Sequence, residues 1–146
     1  MGSSKNNRLK VVIADDQTLF REGIKDLLEN EKSIEVVGEA ADGAEAVRLA
    51  KKLKPNVILM DIKLGEGMDG IEAAEQIRTL LDIPVVYVSA YVDQKLLERA
   101  RETHPAGFIN KPFTTKDLLT TIDLALFQRG GRRNEPRAVS VAPDVT

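Results

Sequence analysis

Four apolar runs in this chain each end on a polar residue. Val11-Val12-Ile13-Ala14 runs into Asp15-Asp16, and Val57-Ile58-Leu59-Met60 runs into Asp61. Pro84-Val85-Val86-Tyr87-Val88 runs into Ser89, and Phe108-Ile109-Asn110 runs into Lys111-Pro112. Three carboxylates, a hydroxyl and an ammonium are the groups that phosphoryl transfer needs. A carboxylate attacks phosphorus and forms an acyl phosphate; Asp61, emerging from four apolar residues, is placed to do so. The ammonium of Lys111 neutralises phosphate oxygens as a compact point charge, and Ser89 donates its hydroxyl to another oxygen. Taken alone, Asp15-Asp16 reads equally well as a cap for the following helix. The pairing with Asp61 shifts that reading toward metal binding, because two carboxylates ~5 Å apart repel by ~3 kcal/mol at an effective dielectric of about 20. Oxygen-only ligands favour a hard cation such as Mg²⁺. In isolation Ser89 is a turn serine and Lys111 a surface lysine; their shared position at the ends of apolar runs separates them from that reading.

Those residues meet only if the runs are parallel strands. Short β-branched runs separated by helical stretches read as strands buried on both faces, and the carboxyl ends of such a sheet open into one crevice. The pattern predicts strands over about Leu9–Asp15, Ile34–Ala41, Asn56–Asp61, Pro84–Ser89 and Ala106–Asn110. The helices between them carry apolar faces at helical spacing: Phe20, Ile24, Leu27 and Leu28; Ala46, Leu49, Ala50 and Leu53; then Ile71, Ala74, Ile77 and Leu81. The fourth shows only Leu96, Leu97 and Ala100, and the last Leu118, Leu119, Ile122 and Ala125-Leu126. Five-fold alternation predicts an α/β fold with helices on both faces and right-handed crossovers. The thin face of the fourth helix marks a weakly held element, of the kind that moves in a switch.

At 146 residues the chain is the size of one domain. It has no cysteine, which excludes thiolate and zinc-thiolate chemistry and fits a reducing, cytoplasmic setting. No apolar stretch approaches the ~20 residues of a membrane span, and residues 1–8 read as a flexible leader. A formal charge of −2 points away from direct nucleic-acid binding. From Arg129 onward, Arg129, Arg132, Arg133 and Arg137 outnumber Glu135 and Asp144 by two. With Gly130-Gly131 and no core-sized apolar set, residues 129–146 read as a disordered tail or linker; a basic docking segment is the alternative.

Two features resemble sites and are set aside. Gly65-Glu66-Gly67-Met68-Asp69-Gly70 matches the GxGxxG dinucleotide spacing, but it starts four residues past Asp61 and puts acids where a pyrophosphate would bind. Its glycines more simply let the loop curl beside the acids. His104 stands alone at the end of the weak helix and receives no role. Thr114 is the expected N-cap of the last helix.

The set Asp15-Asp16, Asp61, Ser89 and Lys111-Pro112, with Met68-Asp69-Gly70 opening the third helix, resembles the response-regulator receiver domain of two-component signalling, in its chemotaxis-receiver-like form. The resemblance covers residues 9–128. It implies a three-layer, flavodoxin-like, doubly wound five-stranded parallel sheet in the order 2-1-3-4-5. It makes Asp61 the phospho-acceptor, supplied by the phosphohistidine of a sensor histidine kinase or a phosphotransfer protein. It implies Mg²⁺ or Mn²⁺ held by Asp16, Asp61 and the backbone carbonyl of Lys63, with Asp15 helping through water. Ser89 and Lys111 would hold the phosphoryl oxygens, the Lys111-Pro112 bond would be cis, and Ser89 and Phe108 would form the switch. Lys63 and Tyr91 occupy positions that tune the acyl-phosphate lifetime. Catalysis would be confined to the chain's own aspartyl phosphorylation and dephosphorylation. A downstream output protein or domain would read the face of helix 4, strand 5 and helix 5, and activation is compatible with a homodimer.

Two departures bear on subtype. The segment after Asp61 lacks the proline common in the family and carries an extra residue among its glycines, which resembles stand-alone or kinase-attached receivers. Gln17-Thr18-Leu19-Phe20-Arg21-Glu22-Gly23 instead resembles receivers that precede helix-turn-helix outputs, while nothing after Gln128 is long enough for such an output. Rival readings are a phosphorylation-independent receiver-like scaffold, an aspartate-nucleophile phosphatase and a flavodoxin. The phosphatase lacks its second acid, since Lys63 stands there, and the flavodoxin would need glycine and hydroxyl groups where Asp15-Asp16 stand.

Overall fold

The structure is a computed structural model and describes residues 8–65, 67–90 and 93–133. Five strands, β1 (Leu9–Ala14), β2 (Ile34–Ala40), β3 (Val57–Met60), β4 (Val85–Ser89) and β5 (Gly107–Asn110), form one sheet in the order β2-β1-β3-β4-β5. All four pairings are parallel. Five helices alternate with them: α1 (Thr18–Glu29), α2 (Gly43–Leu53), α3 (Gly70–Leu81), α4 (Gln94–Arg101) and α5 (Thr115–Arg133). This is the flavodoxin-like arrangement expected, with strands ending up to one residue earlier, so that Asp15 and Asp61 stand just beyond β1 and β3.

Alternate residues of each strand face opposite sides, and each side has its own helices. Val11, Ile13, Leu59, Val86, Val88 and Ile109 pack with Ile24 and Leu28 of α1 and Leu118, Ile122 and Ala125 of α5. Val12, Ala14, Ile58, Met60, Val85 and Tyr87 pack with α2, α3 and Ala100 of α4. Burial on both faces is why the strands read as continuous apolar runs rather than as alternating ones. In α4 only Ala100 is fully buried, in keeping with its thin apolar face.

Short polar side chains stop the helices at the crevice end. Asp42 accepts from the Glu45 N–H, Asp93 from the Leu96 N–H, and Asp69 forms a reciprocal capping box with Glu72. Thr114 Oγ1 accepts from the Asp117 N–H at 3.0 Å, capping α5. Neither Asp15 nor Asp16 caps α1: its N-cap is Gln17, without a side-chain cap bond. The acids are thereby left for the crevice. At the other end, α5 continues through Gly130-Gly131 to Arg133, past the expected boundary at Gln128; residues 1–7 and 134–146 lie outside the described residues. Among the described residues no helix is long and apolar enough to cross a membrane.

Candidate functional site

Strand register assembles the site. Ala14 pairs with Met60, so the residues that follow them, Asp15 and Asp61, emerge side by side, and the Asp61 N–H donates to the Ala14 carbonyl at 2.9 Å. Ser89 pairs with Asn110, and the Lys111 N–H donates to the Ser89 carbonyl at 2.9 Å. β1 has neighbours on both sides that come later in the chain, which puts the strand-order reversal, and therefore the crevice, at Asp15.

One carboxylate oxygen from each of Asp15, Asp16 and Asp61 lies within 4.8 Å of the others. Lys111 Nζ donates to Asp15 Oδ2 at 3.0 Å and stands 3.5 Å from Asp61 Oδ2. Ser89 Oγ donates to Asp61 Oδ1 at 3.0 Å, and the Lys63 N–H donates to the same oxygen at 3.2 Å. Asp15 and Asp61 are buried, whereas Asp16 faces solvent. The Lys111–Pro112 peptide is cis.

After Asp61 the backbone reaches the acids again at Gly65. Gly65 and Gly67 have φ of +38° and +84°, which side chains disfavour, and the Gly65 N–H donates to Asp16 Oδ2 at 3.1 Å. Gly70 meets the site by close approach: a Cβ there would lie 1.9 Å from the Asp61 carbonyl oxygen. Gly65 and Gly70 thus lie against the acids of the crevice.

Burial pushes the Asp61 carboxyl above the usual carboxylate range, and the neighbouring Asp15 charge adds to the effect. Lys111, the Lys63 N–H and the Ser89 hydroxyl oppose it without cancelling it. Independently of that shift, three carboxylates share one ammonium here among the described residues. A hard divalent cation fits this all-oxygen donor set, with Asp15, Asp16 and Asp61 as the side chains to hold it.

Beyond the acids lie two aromatic pairs. Phe108 is 36 % exposed, and its ring packs against Tyr87 at 5.3 Å between centroids, tilted by 43°. Tyr87 is fully buried, and burial raises its phenol to about 12 despite its bond to Thr103. Thr103 Oγ1 gives its one hydrogen to the Ala100 carbonyl at 2.6 Å, so the 2.7 Å contact is a bond donated by Tyr87. On the other side of the sheet, Phe20 faces Phe113 edge-on at 5.9 Å, and Lys111 Nζ sits 3.8 Å from the Phe20 ring centroid.

All five polar residues expected at the crevice are there together. Lys63 reaches Asp61 through its backbone N–H while its residue is exposed, Phe108 stands outside the acid pocket, and Tyr91 lies outside the described residues. Sequence reasoning missed Phe20, which it assigned to the helix face, and Arg21, whose guanidinium donates to the Asp15 carbonyl at 2.6 Å and bridges to Glu39. It also missed the Gln17 N–H, which donates to Asp15 Oδ1 at 2.8 Å. The only signal for Phe20 and Arg21 is their place in the first turn after the acids.

Comparison with known proteins places the chain in one family. The family model described as the response regulator receiver domain matches residues 11–123. The transcriptional regulatory protein PdtaR of Mycobacterium tuberculosis is 40% identical over 117 residues, covering 80% of this chain and 56% of that protein. The transcriptional regulatory protein LiaR of Bacillus subtilis is 36% identical over 133 residues, covering 90% of this chain and 60% of that protein. The chain thus spans between half and two-thirds of the length of these curated relatives. Among solved structures, the response regulator domain of Thermotoga maritima CheB is 32% identical with a TM-score of 0.75, covering 82% of this chain and 96% of that one. The signal receiver domain of a modulated diguanylate cyclase from Desulfovibrio desulfuricans is 28% identical with a TM-score of 0.80, covering 84% and 97%.

Proposed function

The chain belongs to the response-regulator receiver family of two-component systems, and on that basis we propose that it is a phosphorylation switch with Asp61 as its phospho-acceptor. The observation that carries this reading is the surroundings of Asp61: a buried carboxylate with Lys111 Nζ at 3.5 Å, Ser89 Oγ at 3.0 Å and two further acids beside it.

The donor is the phosphohistidine of a sensor histidine kinase or phosphotransfer protein. An Asp61 carboxylate oxygen attacks phosphorus in line; the P–O bond forms as the P–N bond breaks, and the imidazole nitrogen keeps the electron pair. Little covalent work falls to the protein, so positioning and charge decide the rate. Lys111 is poised to turn from Asp15 toward the phosphoryl oxygens, and the Ser89 hydroxyl, which now donates to Asp61 Oδ1, can donate to a phosphoryl oxygen instead. Mg²⁺ or Mn²⁺, when bound by Asp16, Asp61 and the Lys63 carbonyl with Asp15 assisting, supplies charge neutralisation at those oxygens. Lys63 and Tyr91 tune how long the acyl phosphate lasts.

Drawing Ser89 inward opens space beside β5 for Phe108, which is now partly in solvent. The weakly held α4 responds, and the α4–β5–α5 face changes its affinity for an output protein, an output domain or a second copy. The unit that does this is residues 9–128, its last helix running on to Arg133, with the remainder to 146 as a connection or tail and a protein partner in the cytoplasm.

The test is intact-mass spectrometry of the chain after incubation with acetyl phosphate, with and without Mg²⁺, on wild type and Asp61→Asn. A single adduct that needs Mg²⁺ and vanishes in the variant supports the reading. No adduct on folded wild type would overturn it in favour of the phosphorylation-independent scaffold.

A further inference from the structure

We propose that Phe20 is a positioning residue for this phosphoryl transfer: its ring face seats the Lys111 ammonium and sets where that charge meets the phosphoryl oxygens. The inference rests on the Asp61 reading above and extends it to a residue of α1, ninety-one positions away from the lysine in sequence.

The geometry is a three-sided seat. Lys111 Nζ lies 3.0 Å from Asp15 Oδ2, 3.5 Å from Asp61 Oδ2 and 3.8 Å from the Phe20 ring centroid. Carboxylates hold the ammonium on one side and the negative face of an aromatic ring on another. The ring is itself held. Phe113 meets it edge-on, at 5.9 Å and 88°, and Phe113 stands two residues beyond Lys111, across the Lys111–Pro112 bond. Lysine and brace therefore arrive on the same short segment, and α1 supplies the surface between them.

An aromatic face suits this place for a chemical reason. Lysine carries a point charge on a flexible four-carbon stem, with three rotatable donors and no fixed direction. A carbonyl or carboxylate in the Phe20 position would take one of those donors. A ring attracts the cation without claiming a hydrogen bond, so the donors stay with Asp15 and Asp61 and remain available to a phosphoryl oxygen. The attraction also varies little as the ammonium pivots across the ring, which the transfer requires if Lys111 is to leave Asp15 for the phosphoryl group. Without the ring, the stem and the two carboxylates alone decide the position, and a misplacement of ~1 Å at a reacting centre can cost ~100-fold in rate.

The experiment compares Phe20→Leu, which keeps an apolar side chain, with Phe20→Tyr, which keeps the ring. The readout is the rate of adduct formation from acetyl phosphate in the presence of Mg²⁺, by intact mass on the full chain. Phe20→Tyr is expected within about twofold of wild type, and Phe20→Leu roughly three- to thirtyfold slower. Wild-type rate in Phe20→Leu, or equal loss in both folded variants, overturns the role of the ring. No adduct on wild type overturns the Asp61 reading and this role with it, so the two failures are told apart. A second readout does not need phosphate or a stable leucine variant. In wild type, the Lys111 ε-methylene protons, assigned by their loss in Lys111→Met, should resonate upfield under the ring current of Phe20 and keep that shift in Phe20→Tyr. Ordinary lysine shifts for these protons in wild type would overturn the seat itself.

Discussion

Alanine at position 70 should damage this protein, although local rules predict the opposite. Gly70 opens α3, and in a helix alanine is better than glycine by up to about 1 kcal/mol. Its backbone does not require glycine, since only Gly65 and Gly67 have positive φ among the described glycines. The space does. A Cβ would stand 1.9 Å from the Asp61 carbonyl oxygen, 2.9 Å from its carbonyl carbon and 3.0 Å from the Ile62 carbonyl oxygen. These are backbone atoms, which cannot swing aside as a side chain can, and reaching ordinary contact needs an opening of about 1.5 Å. Either the first turn of α3 lifts, straining the Asp69–Glu72 capping box and the Gly70 N–H to Ile62 bond, or the Asp61 peptide moves. Overpacking of this kind costs about 1–3 kcal/mol and a lost cap about 1 more. Net of the propensity gain, Gly70→Ala should lose about 1–3 kcal/mol in urea unfolding. Because the atoms displaced belong to the phospho-acceptor, labelling by acetyl phosphate should also fall, by up to ~100-fold. The control is Gly23→Ala in α1, where no atom lies within 4 Å of the new Cβ; it should gain about 0.5–1 kcal/mol and label normally. A Gly70→Ala chain at least as stable as wild type would refute the close-approach argument, and one that labels at the wild-type rate would separate it from function.

Asp61→Asn keeps an acceptor for Ser89 and Lys63 but removes a carboxyl whose pKa burial raises. A raised carboxylate pKa contributes stability that is complete below the unfolded value of about 3.9 and is lost as pH rises through the folded one. Without Mg²⁺ the variant should therefore have the higher urea midpoint at pH 7, with the gap closing near pH 3; a lower midpoint at pH 7 would contradict the assignment. Added Mg²⁺ should raise the thermal midpoint of wild type, by about 2.7 kcal/mol of stability at a hundredfold excess over Kd, and should do much less for Asp16→Ala. Equal stabilisation of both would place the cation elsewhere. Tyr87→Phe removes the bond to Thr103 but leaves Thr103 bonded to the Ala100 carbonyl, so it should cost only about 1 kcal/mol, read by urea unfolding.

Much of the fold was written in local pattern. A strand buried on both faces must be apolar throughout, and a helix on a sheet must be apolar at helical spacing, so β1, β3, β4 and the faces of α1, α2, α3 and α5 could be read directly. The Thr114 cap is equally local and was read from the sequence; Asp42, Asp69 and Asp93, which were not, answer backbone N–H groups three residues on in the same way. The polar residues at the ends of the apolar runs were legible for the same reason, because a parallel sheet brings all its carboxyl ends to one side. Gly130-Gly131, read in the sequence as part of a tail or linker, fall within α5. Each glycine costs a helix about 1 kcal/mol, which need not end one already capped and packed along Leu118, Ile122 and Ala125.

What periodicity does not encode is which atom of one element meets which atom of another. Phe20 and Leu28 share the apolar face of α1, yet Leu28 fills the core while Phe20 lies under the Lys111 ammonium. Gly70 and Gly23 are both helical glycines, and only the docking of α3 against the Asp61 peptide separates them. The Gly65 N–H reaches Asp16 across forty-nine residues, and Arg21, besides its bond to the Asp15 carbonyl, reaches Glu39 of β2 across eighteen. Residue types and spacing named the groups that do the chemistry. Their distances, their burial and the aromatic seat beneath the lysine followed from strand register and helix docking, which are set by the packing of the whole chain and by no single segment of it.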